Sequence, residues 1–121
     1  MSPHPTSEEL QALCREWQQI LRLQDWDIEI IYVKPCELDP HTGGQVIRCD
    51  GKKAARIKVL DPECYDPCLI VKQDVEYTVV HELVHVHFAI FDGLKGAEDT
   101  LYEQGIHRLA SSLLALKRKS T

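Results

Sequence analysis

Hydrophobic residues recur at helical spacing near the start of the chain and predict an amphipathic helix over residues 7–23. Its apolar positions fall three or four apart and are Leu10, Leu13, Cys14, Trp17, Ile20 and Leu21. Either Thr6 or Ser7 marks its beginning, because a side-chain oxygen caps a helix N-terminus and two glutamates follow in the first turn. Residues 1–6 are predicted to be a flexible tail.

Two further helices are predicted in the second half of the chain. Residues 74–91 are apolar almost all round, which is typical of a helix buried in a core, and the pair at 92–93, Asp-Gly, supplies a stop. After a turn, a last helix is predicted from about 97 to 117. Its apolar positions are Ile106, Leu109, Leu113 and Leu116, and a basic C-terminal end follows them.

Alternating hydrophobic and polar positions predict three strands between the first two helices. Residues 26–33 alternate and are rich in β-branched and aromatic side chains, and Pro35 ends the run. Residues 45–49 and 54–60 flank Asp50-Gly51, which is a strong signal for a hairpin. The predicted order is α-β-β-β-α-α, an α+β fold in one domain, 1–121, with loops at 34–44 and 61–73.

Composition narrows the classes of protein to consider. Apolar content of 44% and charged content of 27% are ordinary for a soluble globular domain. A net charge of −5 argues against nucleic acid as the main partner, and no apolar run predicts a membrane span. The first residues are polar and do not indicate a signal peptide. Five cysteines, an odd number, favour free thiols and a cytoplasmic location.

The cysteines also offer a structural zinc site as an alternative use. Cys64 and Cys68 stand four apart and would need Cys36 or Cys49 as a further ligand. This spacing is loose, and Pro67 interrupts it.

The strongest chemical signal is His81-Glu82-Leu83-Val84-His85, within the second predicted helix. Histidines four residues apart lie on one face of a helix, where both can bind a single Zn²⁺. A glutamate between them is placed to act as general base for a water on the metal. The alternative is a buried helix that carries two histidines and an acid by chance. A buried carboxylate beside two imidazoles would be costly with nothing to bind.

A zinc site of this kind needs a third protein ligand. A histidine six residues after His85 is excluded, because that position is Phe91. The last helix offers Glu98, Asp99, Glu103 and His107. We assume that the second helix continues about six residues beyond His85 and that the last helix starts near residue 97 and runs antiparallel to it. The last helix then needs about six residues to cover the same axial distance, and this places Glu103 level with His85.

The neighbours of Glu103 receive supporting roles in this hypothesis. Gly105 is predicted to mark a close approach of the last helix to the zinc helix, since glycine is unfavourable inside a helix. Asp99 is a candidate to accept a hydrogen bond from a ligand imidazole. His107 is a candidate catalytic residue, which either contacts a ligand or donates a hydrogen bond to a developing oxyanion. The alternative is that Asp99, Glu103 and His107 form a solvent-exposed helix face without a role in metal binding.

Taken together, His81-Glu-x-x-His85 and Glu103 eighteen residues later resemble the gluzincin pattern of zinc metallopeptidases. The last helix is similar to the glutamate-bearing helix of small peptidases that cleave phage-type repressors, where an asparagine is usual at the position of His107. The order and length also resemble the minigluzincins. The resemblance implies a zincin-like fold, with a small three-stranded twisted sheet packed on the active-site helix. It further implies an edge strand that binds an extended peptide, for which Ala54–Leu60 is the candidate.

Three functions are compatible with these residues. The first is a zinc-dependent endopeptidase acting on a peptide or protein, with Glu82 as general base. The second is a zinc-stabilised binding or regulatory module of the same fold, inactive or autoinhibited. The third is a hydrolase of a non-peptide amide, which would use the same zinc chemistry.

Overall fold

The computed structural model describes residues 4–40, 42–65, 73–88 and 99–120, and these form an α+β fold in the predicted order. Short 3-10 turns occupy Pro35–Glu37, Asp50–Lys52 and Pro62–Cys64. The helices are α1 (Ser7–Ile20), α2 (Val75–His87) and α3 (Asp99–Ser120), and the strands are β1 (Asp27–Val33), β2 (Gly44–Cys49) and β3 (Ala54–Leu60).

Helix α1 begins with a capping box. The Thr6 hydroxyl accepts from the backbone N–H of Glu9 at 3.1 Å, and the Glu9 carboxylate accepts from the N–H of Thr6 at 2.8 Å. The Tyr32 hydroxyl donates to the carbonyl oxygen of Pro5, and the His4 ring packs edge-on against Tyr65. Residues 4–6 therefore belong to the fold rather than to a tail, and residues 1–3 lie outside the described part.

The three strands form one mixed sheet in the order β1-β3-β2. β1 runs parallel to β3, and β2 pairs antiparallel with β3 through the predicted hairpin. β3 is therefore the central strand, so the prediction of Ala54–Leu60 as an edge strand is wrong. β2 is the edge strand that lies against α2.

In the described part of the chain, the helices cover one face of the sheet. Ile30, Ile57 and Val46 form one register row on the inner face, which packs against α1 and α2. The outer face carries polar side chains, such as the ion pair between Arg56 and Glu29 at 2.9 Å. The main core lies between the inner face and the helices, and its largest fully buried side chains include Trp17, Leu10, Ile30, Ile57 and Leu83.

The helix ends differ from the predicted ends. α1 ends at Ile20, whose side chain is 45% exposed, and not at residue 23. α2 ends at His87 with Phe88 as its C-cap, so the prediction of a helix to residue 91 is wrong. The predicted stop at 92–93 and the start of the last helix at 97 lie outside the described residues.

Helix α3 packs through a different row of side chains from the one predicted. Ile106, Ala110 and Leu114 are buried against α2, whereas Leu109 is 40% and Leu116 63% exposed. A row spaced by four residues lies along one side of a helix, and the small Ala110 at its centre allows close packing.

The C-terminal end of α3 is tied to α1 and α2 by ion pairs. Lys117 pairs with Glu16 of α1 at 2.9 Å and with Glu76 of α2, and Arg118 pairs with Asp74 at 2.8 Å. Burial alone would raise the pKa of Glu76, but its bonds to Lys117 and Trp17 and the nearby cationic charges lower it. This network fixes α3 relative to α2. Within the described residues, no helix combines the length and hydrophobicity needed to cross a membrane.

Candidate metal centre

The structure brings His81, His85 and Glu103 together at the contact between α2 and α3. One ligand atom from each of the three side chains lies within 4.8 Å of the others. The His81 and His85 rings have centroids 4.9 Å apart, and Glu103 Oε1 lies 2.8 Å from His85 Nε2. Two imidazoles and a carboxylate are a donor set that suits Zn²⁺ with one coordination position left open. The residues therefore fit the metal that the sequence predicts.

Helix α2 supplies three of the predicted site residues because of its periodicity. Asp74 caps the helix by accepting from the N–H of Tyr77 at 3.2 Å. Four-residue spacing then places His81 and His85 one turn apart on one face, and Glu82 stands next to that face. Glu82 is 6% exposed, so the helix holds a carboxylate in the protein interior.

The contacts of His81 leave one of its ring nitrogens available to a metal. His81 Nδ1 lies 3.0 Å from Glu82 Oε2, where an N–H can donate to the carboxylate and leave Nε2 as the unprotonated ligand. Burial lowers the pKa of His81, but the hydrogen bond to Glu82 and the charges of Glu82 and Glu103 outweigh it and raise the pKa above 6.5. The electrostatic potential at the site is thus negative and favours a cation.

His85 has a tyrosine at its second ring nitrogen. The Tyr102 hydroxyl lies 3.5 Å from His85 Nδ1 and also 3.5 Å from the carbonyl oxygen of Phe88. Partners at this nitrogen orient a ligand histidine and set its tautomer. The sequence reasoning missed Tyr102, although its position next to Glu103 on α3 was a usable signal.

His107 lies one turn after Glu103 and is paired with a second missed residue, Tyr77. The Tyr77 hydroxyl is hydrogen-bonded to His107 Nδ1 at 2.5 Å, and the Tyr77 ring lies 5.7 Å from that of His81. Burial, with the charges of Glu82 and Glu103, raises the pKa of Tyr77. Tyr77 stands four residues before His81, as His81 stands four before His85, so the three side chains lie on the same face of α2.

The candidate metal centre opens into a large cleft between β2, α2 and α3. The cleft has a volume of about 1170 Å³ and extends from Glu103 along α3 to Arg118. Its lining includes His81, Glu82, His85, Glu103 and His107. Glu103 is 46% exposed, so the metal centre is accessible to solvent and to a ligand as large as a peptide.

The structure does not support two other predictions around the site. Among the described residues, no atom outside the local helix backbone lies within 4 Å of a Cβ built at Gly105, so this glycine faces open space there and does not mark a close contact with α2. Among the described residues, no cysteine joins a metal-binding group; Cys14, Cys36, Cys49 and Cys64 are free thiols. Cys68 lies outside that part of the chain.

Three more residues bear on the sequence predictions but are described in part or not at all. Glu98 lies outside the described residues, and so does His41 of the 34–44 loop, which the sequence predicts to be a solvated histidine and not a ligand. Asp99 is the first residue of α3, and only its backbone is described. The hydrogen bond proposed from a ligand imidazole to Asp99 stays a prediction.

Comparisons of the chain with protein-family models, with curated proteins and with solved structures found no match. The resemblance to gluzincins therefore rests on the motif and on the residues described above.

Proposed function

We propose that this protein is a zinc-dependent metallopeptidase of the gluzincin type, with a zincin-like fold. The observation that carries the proposal is the grouping of His81, His85 and Glu103 within 4.8 Å, beside the buried Glu82 and in an open cleft. A stabilising metal alone would not call for a second carboxylate next to the ligands. A metal-assisted hydrolysis does, because it needs a base.

In this proposal the two helices have separate tasks at the metal. His81 and His85 of α2 and Glu103 of α3 hold Zn²⁺, with Tyr102 orienting His85. Bound there, zinc supplies a Lewis acid for the scissile carbonyl and a lowered pKa for the attacking water. Glu82 accepts a proton from that water and donates it to the leaving amine.

The Tyr77–His107 pair provides a hydrogen-bond donor for the oxyanion that develops on the substrate. When the Tyr77 hydroxyl donates to His107 Nδ1, the imidazole proton is on Nε2. From that nitrogen His107 donates to negative charge in the cleft, and the pair is preorganised by its short contact. Donation to the oxyanion is one of the two roles that the sequence suggested for His107, and the hydrogen bond from Tyr77 sets the imidazole tautomer that this role needs.

The cleft favours an extended peptide as the substrate. β2 is an edge strand with one hydrogen-bonded neighbour in the sheet, and it borders the cleft through Gly44, Gln45, Val46 and Arg48. A peptide that adds to this edge gains backbone hydrogen bonds without a sequence requirement, and side chains in the cleft select among sequences. β2 takes the position that the sequence had assigned to Ala54–Leu60.

Zinc content and peptide cleavage test the proposal together. Protein purified without added metal is expected to contain zinc, and His81→Ala is expected to lose it. The zinc-loaded protein is then incubated with a diverse peptide library, and new termini are identified by mass spectrometry. Cleavage by the wild-type protein and none by Glu82→Gln supports the peptidase. Zinc without cleavage would leave the binding module as the function of this fold.

A further inference from the structure

Gly44 lies where the edge strand comes closest to the zinc helix. It pairs with Val59 in the sheet and faces Thr78 of α2, one turn before Glu82. A Cβ built at Gly44 lies 2.5 Å from Thr78 Cγ2 and 3.2 Å from the carbonyl oxygen of Lys58. The first of these separations is shorter than any that carbon atoms tolerate. With Thr78 in its present rotamer, in which the hydroxyl donates to the carbonyl oxygen of Asp74, β2 can therefore take this position only with glycine at residue 44.

The same point of contact reaches the proposed general base. The Cβ position at Gly44 lies 3.5 Å from Glu82 Oε2, an ordinary van der Waals distance. The missing side chain therefore leaves the carboxylate uncovered toward β2. It also brings the backbone that would hold a peptide next to the group that would move the proton.

We propose that Gly44 is a positioning residue that fixes the distance between the edge strand and Glu82. The proposal rests on the proposed peptidase function and adds a requirement to it. A side chain at residue 44 pushes β2 away from α2, so a peptide paired with β2 no longer presents its scissile bond to Glu82. The zinc ligands lie on α2 and α3 and stay in place.

The chain contains a matched control and a rescue for this proposal. Gly43 precedes Gly44, but among the described atoms a Cβ there comes within 4 Å of Thr78 Oγ1 alone, at 4.0 Å. Gly43→Ala therefore repeats the chemical change without the clash. Thr78→Ser removes Cγ2, the atom that clashes, and keeps the hydroxyl that donates to the carbonyl oxygen of Asp74 at 3.2 Å. The double variant Gly44→Ala/Thr78→Ser should therefore restore the close contact.

The experiment measures kcat, KM, zinc content and melting temperature for the wild type, the three single variants and the double variant. The substrate is a peptide from the library that the wild-type protein cleaves. Gly44→Ala is expected to keep its zinc and to lose activity by a factor of about 10 to 100, the usual effect of a misplacement near 1 Å. Gly43→Ala and Thr78→Ser are expected to stay within about twofold of wild type. The double variant is expected to recover most of the loss.

Three results would overturn the proposal: equal activity in Gly44→Ala and Gly43→Ala, no recovery in the double variant, or zinc loss in Gly44→Ala in step with its activity. If the wild-type protein cleaves no peptide, the proposed function fails, and the melting temperatures decide the Gly44 contact separately. The contact then requires that Gly44→Ala lowers the melting temperature and that Thr78→Ser reverses the loss. Independent effects of the two substitutions would refute it.

Discussion

Glu103→Gln should weaken the stabilisation that zinc gives the protein while changing the metal-free protein little. In the structure Glu103 contacts His85 at 2.8 Å, but its side chain is 46% exposed. A polar contact with so exposed a carboxylate contributes less than about 1 kcal/mol to folding, even where both partners are charged. With zinc bound, the same carboxylate is the anionic ligand, and its loss lowers zinc affinity by at least about 100-fold, since even partners outside the ligand set cost up to that factor.

These values give a difference that a melting curve resolves. At a zinc concentration about 100 times the wild-type dissociation constant, the metal stabilises the wild-type protein by about 2.7 kcal/mol. After a 100-fold loss of affinity the gain is about 0.4 kcal/mol. A chain of 121 residues unfolds with an entropy near 0.25 kcal/mol/K, so the zinc-dependent shift in melting temperature should shrink by about 9 °C.

The assay is calorimetry of the wild type, Glu103→Gln and Glu82→Gln, each with a fixed zinc concentration and with a chelator. Glu82→Gln is the contrast, because it removes a buried carboxylate but no ligand and leaves an amide oxygen that can accept from His81 Nδ1. Its zinc-dependent shift should therefore shrink by less than that of Glu103→Gln. Chelation should lower the melting temperature of the wild type reversibly. An equal loss in Glu103→Gln with and without zinc would show that Glu103 acts by packing and is not a ligand.

Three further predictions follow from other parts of the structure. Glu82→Gln should keep its zinc while peptide turnover falls by a factor of about 10² to 10⁴, the usual contribution of a general base; full turnover measured in a steady-state assay would exclude that role. Gly105→Ala should raise stability by about 1 kcal/mol in urea denaturation, because the site is helical and open; a loss would mean that the glycine is required. Lys117→Met should cost about 1 to 3 kcal/mol at pH 7, because it removes the nearer of the two cations that pair with the part-buried Glu76 and leaves Arg118 at 3.5 Å. Lys119→Met, at an exposed position, should cost less than about 0.5 kcal/mol. Because folding lowers the pKa of Glu76 below 4.5, the ionised carboxylate stabilises the folded protein above pH 4.5, and this stabilisation is lost as the pH falls through the folded-state pKa. Denaturation at several pH values should therefore show a smaller destabilisation by Lys117→Met in that acidic range.

The local part of the site was predictable because helix periodicity depends on neighbouring residues. His81, Glu82 and His85 fall on and beside one face of α2 whatever surrounds them. Glu103 was reached from an assumed length for both helices, and α2 in fact ends four residues earlier than predicted. The structure still brings Glu103 to His85, because the row of Ile106, Ala110 and Leu114 packs against α2 and points the preceding turn toward the histidines.

The arrangement of the strands was not predictable from their patterns. β3 was assigned as an edge strand from the resemblance to zincins, yet it is central because it pairs with β1 in parallel and with β2 antiparallel. Alternation reports which face of a strand is buried and says nothing about its neighbours. Gly44 and Tyr77 were missed for a related reason, since their importance comes from contacts with residues distant in the sequence.

The two ends of α3 are held by different kinds of interaction. Glu103 lies in the candidate metal centre near one end, and Lys117 contacts Glu16 and Glu76 about 21 Å away at the other, at 1.5 Å rise per residue. The ion pairs order the helix in the absence of a metal, so zinc bound as proposed need not supply the entropy of docking it. Such exposed pairs weaken as salt screens them. The apparent affinity for zinc should therefore decline with ionic strength, through a contact that never touches the metal.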